Sequence, residues 1–211
     1  TAQKLMDDHL VLADALENAE LRGMFYIGYG MCLWARERFG KAYDIMHKAL
    51  AIGETTGHPK VEGYAHAWLT WVCIDIGLPQ EALAHGRAAR SLAAYFDSGH
   101  YPYYHSWDSD GLAYWGTGNY DGIKACSNAL MEYGKANTSR RVKTWSRFIM
   151  GMGHLTDGDF TAAIEELKMA HLAASDPLYT MFPKLFMGIA AIAGGDYFAM
   201  QQDLEEVMAH G

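Results

Sequence analysis

One short segment holds two residues whose types and spacing could do chemistry. In Tyr101-Pro102-Tyr103-Tyr104-His105-Ser106-Trp107-Asp108-Ser109-Asp110, His105 and Asp108 stand three apart, and His100 precedes them. A helix would present both on one face. An imidazole and a carboxylate so placed are two potential donors to a divalent metal. Two donors on one helix fall short of a full ligand shell, and a hydrogen-bonded structural pair is the commoner use, so no metal is assigned. Arg140, Lys143 and Arg147, with Arg141 beside them, repeat at 3-4 spacing and stripe one helical face. That stripe suits a phosphate or an acidic partner, and equally a solvated helix face, the commoner arrangement. The acidic Asp203, Glu205 and Glu206 are read in the same way. Cys32, Cys73 and Cys126 are widely separated and odd in number, which argues against a disulfide framework and for a reducing cytoplasm. As thiols on three separate helices they serve as small buried hydrophobes.

The motifs of common enzymes are absent. The chain has no CxxC, no HExxH, no nucleophile elbow and no phosphate-binding glycine loop ending in Lys-Ser or Lys-Thr, and Gly28-Tyr29-Gly30 falls inside a helical stretch. The sequence therefore predicts no catalytic activity and no cofactor. A net charge of −8 argues against nucleic acid as a partner, because a phosphate backbone demands a basic face. Half of the 211 residues are hydrophobic, ample for a large core, yet the longest apolar runs are far shorter than a membrane span and no secretory signal opens the chain. The text begins at Thr1 directly in a helical pattern, which predicts a piece of a longer protein.

What positions these residues is a repeat. Gly118-Asn119-Tyr120, Gly158-Asp159-Phe160 and Gly195-Asp196-Tyr197 share one pattern; Gly77-Leu78-Pro79 is in phase with them, and Glu37-Arg38-Phe39 continues the series upstream. The anchors 37, 77, 118, 158 and 195 are separated by 40, 41, 40 and 37 residues. An interval so nearly constant marks a helical array. Seven positions before the anchors stand Gly30, Thr70, Gly111, Gly151 and Gly188, although glycine makes up only 22 of 211 residues. Glycine there would let the two helices of a pair approach closely. Five positions after the anchors come Ala42, Ala82, Ile123, Ala163 and Met200; twelve after, Ala49, Ala89, Leu130, Ala170 and Val207. The third unit looks one residue short, Ala129 fitting better than Leu130.

This pattern resembles the tetratricopeptide repeat (TPR) family, whose consensus has a large-Gly-x-x-aromatic stretch, then Gly-Asp-Tyr, then two spaced alanines. The best copy runs Met150-Gly151-Met152-Gly153-His154, then Gly158-Asp159-Phe160-Thr161-Ala162-Ala163-Ile164, and ends at Ala170. The units are nearer forty residues than the family's thirty-four, and its terminal proline is displaced to Pro59, Pro102 and Pro177. Such long units resemble the helical arrays of bacterial signalling ATPases, class III adenylate cyclases and maltose-regulator-type transcription activators. The resemblance implies an all-α, right-handed α-α superhelix of about five helix pairs plus a leading helix. The whole of 1–211 reads as a single TPR-like repeat domain with units near 19–57, 58–98, 99–137, 138–176 and 177–211, and 1–18 as the leading helix of a truncated unit. First helices are predicted near 19–36, 60–76, 102–116, 139–156 and 178–193, and second helices near 39–55, 79–96, 120–135, 160–174 and 197–209.

In that architecture first helices line the inner face, where repeat proteins bind. Residues 13, 10, 6 and 3 before each anchor share one helical face. They read Met24, Ile27, Met31, Trp34; Tyr64, Ala67, Trp71, Ile74; His105, Asp108, Leu112, Trp115; Trp145, Phe148, Met152, Leu155; and Phe182, Leu185, Ile189, Ile192. The set is apolar and aromatic, without the Lys, Arg and Asn by which family members clamp a charged peptide terminus. Tyr64, Trp71, His105, Asp108, Trp115, Trp145, Phe148 and Met152 are the candidate binding residues, for a peptide, an amphipathic helix or an adjoining domain of the same polypeptide. The same side chains would serve equally as ordinary core between tightly packed first helices. The sequence thus points to a cytoplasmic protein-interaction module, the regulatory part of a bacterial signalling protein. Its alternative is a structural scaffold that sets oligomeric state, self-associating and binding nothing in a groove.

Overall fold

In the computed structural model, residues 2–92, 95, 101–175, 177–195 and 205 are described. Among them the chain is built of helices, with no strand: α1 (Ala2–Asp14), α2 (Ala19–Trp34), α3 (Phe39–Thr56), α4 (Pro59–Asp75), α5 (Pro79–Ser91), α6 (Tyr101–Gly116), α7 (Tyr120–Ala136), α8 (Arg140–Asp157), α9 (Phe160–Ala173) and α10 (Pro177–Ala193). Local chemistry sets these boundaries. Asn18, Asn119, Ser139 and Asp159 each accept a backbone N–H from the first turn of the helix they open, satisfying a donor that has no partner within the helix. Pro59 and Pro79 stand in the first turns of α4 and α5, where a missing N–H costs nothing.

The repeat anchors are the turns between paired helices. Gly77, Gly118, Gly158 and Gly195 all have φ between 68° and 87°, the left-handed region, and Glu37 at the equivalent place has φ 59°. A residue without Cβ enters that region freely, which is why four of the five anchors are glycine. Glu37 shows that the turn, not the residue, is what repeats.

The glycines seven residues earlier do not share one job, and a Cβ at Gly188 would meet nothing within 4 Å, against the expected close approach. A Cβ at Gly30 would lie 2.6 Å from Met46 Cε in α3, and one at Gly151 would lie 2.6 Å from Leu167 Cγ in α9, so both mark the contact inside a helix pair. Gly111 differs: its Cβ would meet Ile149 Cγ2 of α8 at 2.7 Å, the first helix of the following pair. The expectation of a within-pair contact is corrected there. The expected register slip is corrected too. Leu130 is fully buried while Ala129 keeps partial exposure, so the third unit follows the common phase. Ala42, Ala49, Ala82, Ala89, Ala163 and Ala170 are all fully buried, as small residues at tight helix crossings should be. The predicted helix at 197–209, with Met200 and Val207, lies outside the described residues apart from Glu205, and α5 ends at Ser91 rather than 96.

The chain divides into two compact units, Thr1–Ser109 and Asp110–Gly211. In the first, Tyr26, Ile27, Met46, Ala49, Leu50, Val61, Ala65, Trp68 and Leu69 form one buried cluster, and Tyr29, Leu33, Ala42 and Val72 another. The leading helix α1 is tied on by the Tyr26 hydroxyl donating to Asp14 and the Tyr29 hydroxyl donating to Asp7 at 2.5 Å. Burial and the Asp14 carboxylate push the Tyr26 phenol up to about 12. In the second unit, Ile123, Leu130, Val142, Ile149, Ala163 and Leu167 are buried. There Ser127 and Ser146 bridge α7 and α8 reciprocally, each hydroxyl donating to the other's carbonyl, at 2.9 and 2.8 Å. No described helix is long and apolar enough to cross a membrane. Cys32, Cys73 and Cys126 form no disulfide; Cys73 and Cys126 are buried as expected, whereas Cys32 keeps partial exposure.

Candidate functional site

In the first unit, helices α2, α4 and α6 bring an aromatic and polar web together. Trp34 packs edge-on to Trp68 and to Trp71, each at 5.6 Å between ring centroids. Trp71 stacks face to face on His105 at 5.3 Å with 7° between the planes, and Trp68 lies 5.1 Å from the same imidazole. Trp71 Nε1 donates to Asp108 Oδ1 at 3.2 Å, and His105 Nδ1 lies 3.2 Å from Oδ1 and 3.3 Å from Oδ2 of that carboxylate. Ser109 Oγ donates to Asp108 Oδ1 at 3.2 Å and to the His105 carbonyl at 2.7 Å. His105 and Asp108 are thus buried, 3% and 0% exposed, and face each other and the indole. A buried carboxylate needs such donors, and their spacing on α6 is used to supply them. Trp34 Nε1 donates to Asp75 Oδ2 at 2.5 Å; burial of that carboxyl nonetheless raises its pKa above the ordinary carboxylate value.

In the second unit, Trp145 and Phe148 of α8 lie 4.6 Å apart between ring centroids. Phe182 and Phe186 of α10 pack on them edgewise or tilted, at 6.0 Å from Trp145 and at 6.1 and 5.2 Å from Phe148. Trp115 of α6 sits edge-on to Phe186 at 5.4 Å. Face spacing alone had passed over Trp68 and Phe186, one position off the chosen offsets, although both join these webs. A residue one step round a helix still reaches the facing row when its side chain is an indole or a phenyl ring.

The eight candidate binding residues divide by exposure. Trp145, Phe148, Met152, His105 and Asp108 are 3% exposed or less. Tyr64 and Trp71 are half-buried, and Trp115 is 38% exposed. Other exposed large apolar side chains fall at the same offsets: Met31 at 38% on α2, and Leu185, Ile189 and Ile192 at 37–41% on α10. Met31, Leu185, Ile189 and Ile192 had been placed on the face without being named as site residues. Two side chains of the basic stripe are engaged locally. Arg147 pairs with Glu166 at 2.9 Å, and Arg140 Nε donates to the Ala173 carbonyl at 2.8 Å at the end of α9.

No family model matches the chain, and no curated protein sequence matches it. Solved structures do. It is similar to the nearly identical TPR-like repeats of a protein from Podosopora anserina assigned as a kinesin light chain, at 18% identity and a TM-score of 0.62 over 92% of this chain and 97% of that one. It is also similar to BtubC (BKLC) from P. vanneervenii, at 12% identity and 0.68 over 99% of this chain and 87% of that one. A third is the apo form of the quorum sensor NprR from B. thuringiensis, at 10% identity and 0.69 over 99% of this chain and 58% of that one. At these identities the likeness is one of fold. The chain has a TPR-like helical-repeat fold.

Proposed function

We propose that the first-helix face binds an apolar or amphipathic segment of another protein, or of an adjoining domain of the same polypeptide, and that the array is the regulatory part of a bacterial signalling protein. The observation that supports it is where exposure and apolarity coincide. Soluble chains seldom leave large apolar side chains exposed in rows. Here Met31, Trp115, Leu185, Ile189 and Ile192 all occupy the offsets of the repeat's inner face. In the first unit Trp71 and Tyr64 keep partial access beside the buried His105 and Asp108; in the second, Trp145, Phe148 and Met152 are the buried members of the set. In this division of labour the exposed residues make the contact and the buried ones make the surface rigid, the preorganisation that lowers the entropic cost of binding. The face offsets carry no Lys or Arg, which favours an apolar ligand over an acidic one. The use of the same fold by a quorum sensor is in keeping with a regulatory role.

The alternative, a scaffold that self-associates, is supported by α1. Its Leu5, Val11 and Leu12 are 60–81% exposed, and Leu5, Met6, His9, Leu12, Leu16 and Phe25 line a cleft of about 370 Å³ beside it. One experiment separates the two. Peptides selected from a random display library on the wild-type chain are titrated against Trp71→Ala, Ile189→Glu and Leu12→Glu, with circular dichroism on each variant. The expected result is more than tenfold weaker binding for Trp71→Ala and Ile189→Glu, with helicity intact and Leu12→Glu unchanged. Equal binding by all variants refutes the groove. A concentration-dependent mass that only Leu12→Glu abolishes selects the scaffold.

A further inference from the structure

Away from the aromatic faces, the first unit gathers a second polar cluster between α3 and α5. His47 Nε2 lies 3.8 Å and His85 Nε2 3.6 Å from the same oxygen, Glu81 Oε1. The donor atoms of the three side chains all fall within 4.8 Å of one another. Glu81 and His85, four apart on α5, share a helical face, and His47 reaches them from the neighbouring second helix.

From this geometry we propose that His47, Glu81 and His85 bind a divalent transition-metal ion, of which zinc is the best fit. Both Nε2 atoms are buried and make no hydrogen bond, and both converge on a carboxylate oxygen. A buried polar atom without a partner is costly, and one cation would satisfy the pair at once. Zinc bonds of about 2.0–2.1 Å place tetrahedral ligand atoms about 3.3–3.4 Å apart. The two observed His–Glu separations exceed that by a few tenths of an ångström, within reach of small side-chain rotations.

The surroundings are those of ligands rather than of an ion pair. His85 Nδ1 lies 2.8 Å from Nδ1 of His66 on α4, so one of the two nitrogens donates. The arrangement a metal on His85 needs is the one in which His85 donates and His66 accepts. With His85 Nδ1–H donating to it, the Nε2 lone pair of His85 turns to the site, the tautomer that a metal requires. Tyr43 donates its hydroxyl to Glu81 Oε1 at 2.6 Å and packs its ring 4.4 Å from that of His47, orienting both ligands. Among the described residues, His47, Glu81 and His85 alone form a group of three potential ligands with mutual separations within 4.8 Å. That leaves two imidazoles and one carboxylate, a set suited to zinc and its neighbours rather than to calcium or magnesium. The side chains of His47 and Glu81 are 38% and 36% exposed, so an ion can enter and a fourth position stays open to water.

Cobalt(II) and zinc chloride are the probes, on untagged, chelator-treated full chain. Cobalt should bind one per chain with visible d–d absorption, and zinc should displace it. His47→Gln, on the exposed side of the site, and His85→Gln should each lose at least a hundredfold in affinity, and His66→Phe about 10–100-fold through the lost orienting bond. At a hundredfold excess over Kd, zinc should raise the wild-type melting midpoint by about 5–10 °C and leave the His47→Gln midpoint unmoved. His105→Ala should bind cobalt as the wild type does. Absence of stoichiometric binding, or binding that survives both His47→Gln and the His47/His85 double variant, overturns the assignment.

Discussion

Replacing Gly53 by alanine should loosen the junction of α3 with α4, and the size of the effect follows from the backbone. A Cβ at Gly53 would lie 2.8 Å from the Glu62 backbone N, 3.2 Å from its Cα and 2.7 Å from its Cγ. The side chain can swing aside; the backbone of α4 cannot. Ordinary contact begins near 3.4 Å, so α4 must retreat locally by about 0.6 Å (3.4 minus 2.8), against close-packed neighbours. Overpacking of that kind costs about 1–3 kcal/mol, and alanine's better helix propensity returns about 1 kcal/mol. The net is a loss of about 0–2 kcal/mol, or a fall of a few degrees in melting midpoint for a chain of this length. Gly40, also in α3, has nothing within 4 Å of its would-be Cβ. Gly40→Ala should therefore raise stability, by up to about 1 kcal/mol. Urea unfolding of both variants followed by circular dichroism is the assay. If Gly53→Ala proves as stable as Gly40→Ala, the contact of α3 with α4 does not depend on the missing Cβ, and the close-approach reasoning fails at this junction.

Two further outcomes can be measured. Asp75→Asn keeps an acceptor for Trp34 Nε1 but removes a charge whose pKa burial raises. A raised carboxylate pKa means that the ionised form is disfavoured on folding. That penalty is fully present above the folded pKa and vanishes below the unfolded value near 4. The variant should thus be slightly more stable than wild type at pH 7, a small effect because Asp75 retains solvent access, with the gap closing as pH falls below about 4; a gap that widens on acidification contradicts it. Tyr29→Phe and Tyr26→Phe together should release α1, since both hydroxyls donate to its carboxylates. Amide exchange across residues 2–14 should quicken about tenfold or more, at roughly 1 kcal/mol per bond, while α4 and α8 keep their protection; unchanged exchange in α1 removes those bonds from the account of how it is held.

How much of this was legible in the sequence depended on whether a residue's meaning was local. Helix starts near 19, 139 and 160 and turns at Gly77, Gly118 and Gly158 were readable because a left-handed turn is decided within a few residues of chain, and the roughly forty-residue interval repeats that decision; the capping roles of Asn18, Ser139 and Asp159 came from the structure. The buried alanines were readable for the same reason. Glu37 was assigned to the series by phase alone, and its positive φ shows why the phase held without glycine. His105 and Asp108 were legible as a pair through their spacing on one helix; that the Trp71 indole closes over them was not. Burial within the aromatic face was not legible either. Met31 and Met152 occupy the same offset, yet one is 38% exposed and the other 0%, because exposure depends on how much of the next helix lies over the residue. Nor could spacing find the cluster of His47, Glu81 and His85. Glu81 and His85 are four apart, a signal in plain view, but two donors on one helix are common. The third comes from 34 residues upstream (47 against 81), and only the packing of one second helix beside the next brings its imidazole to the same oxygen.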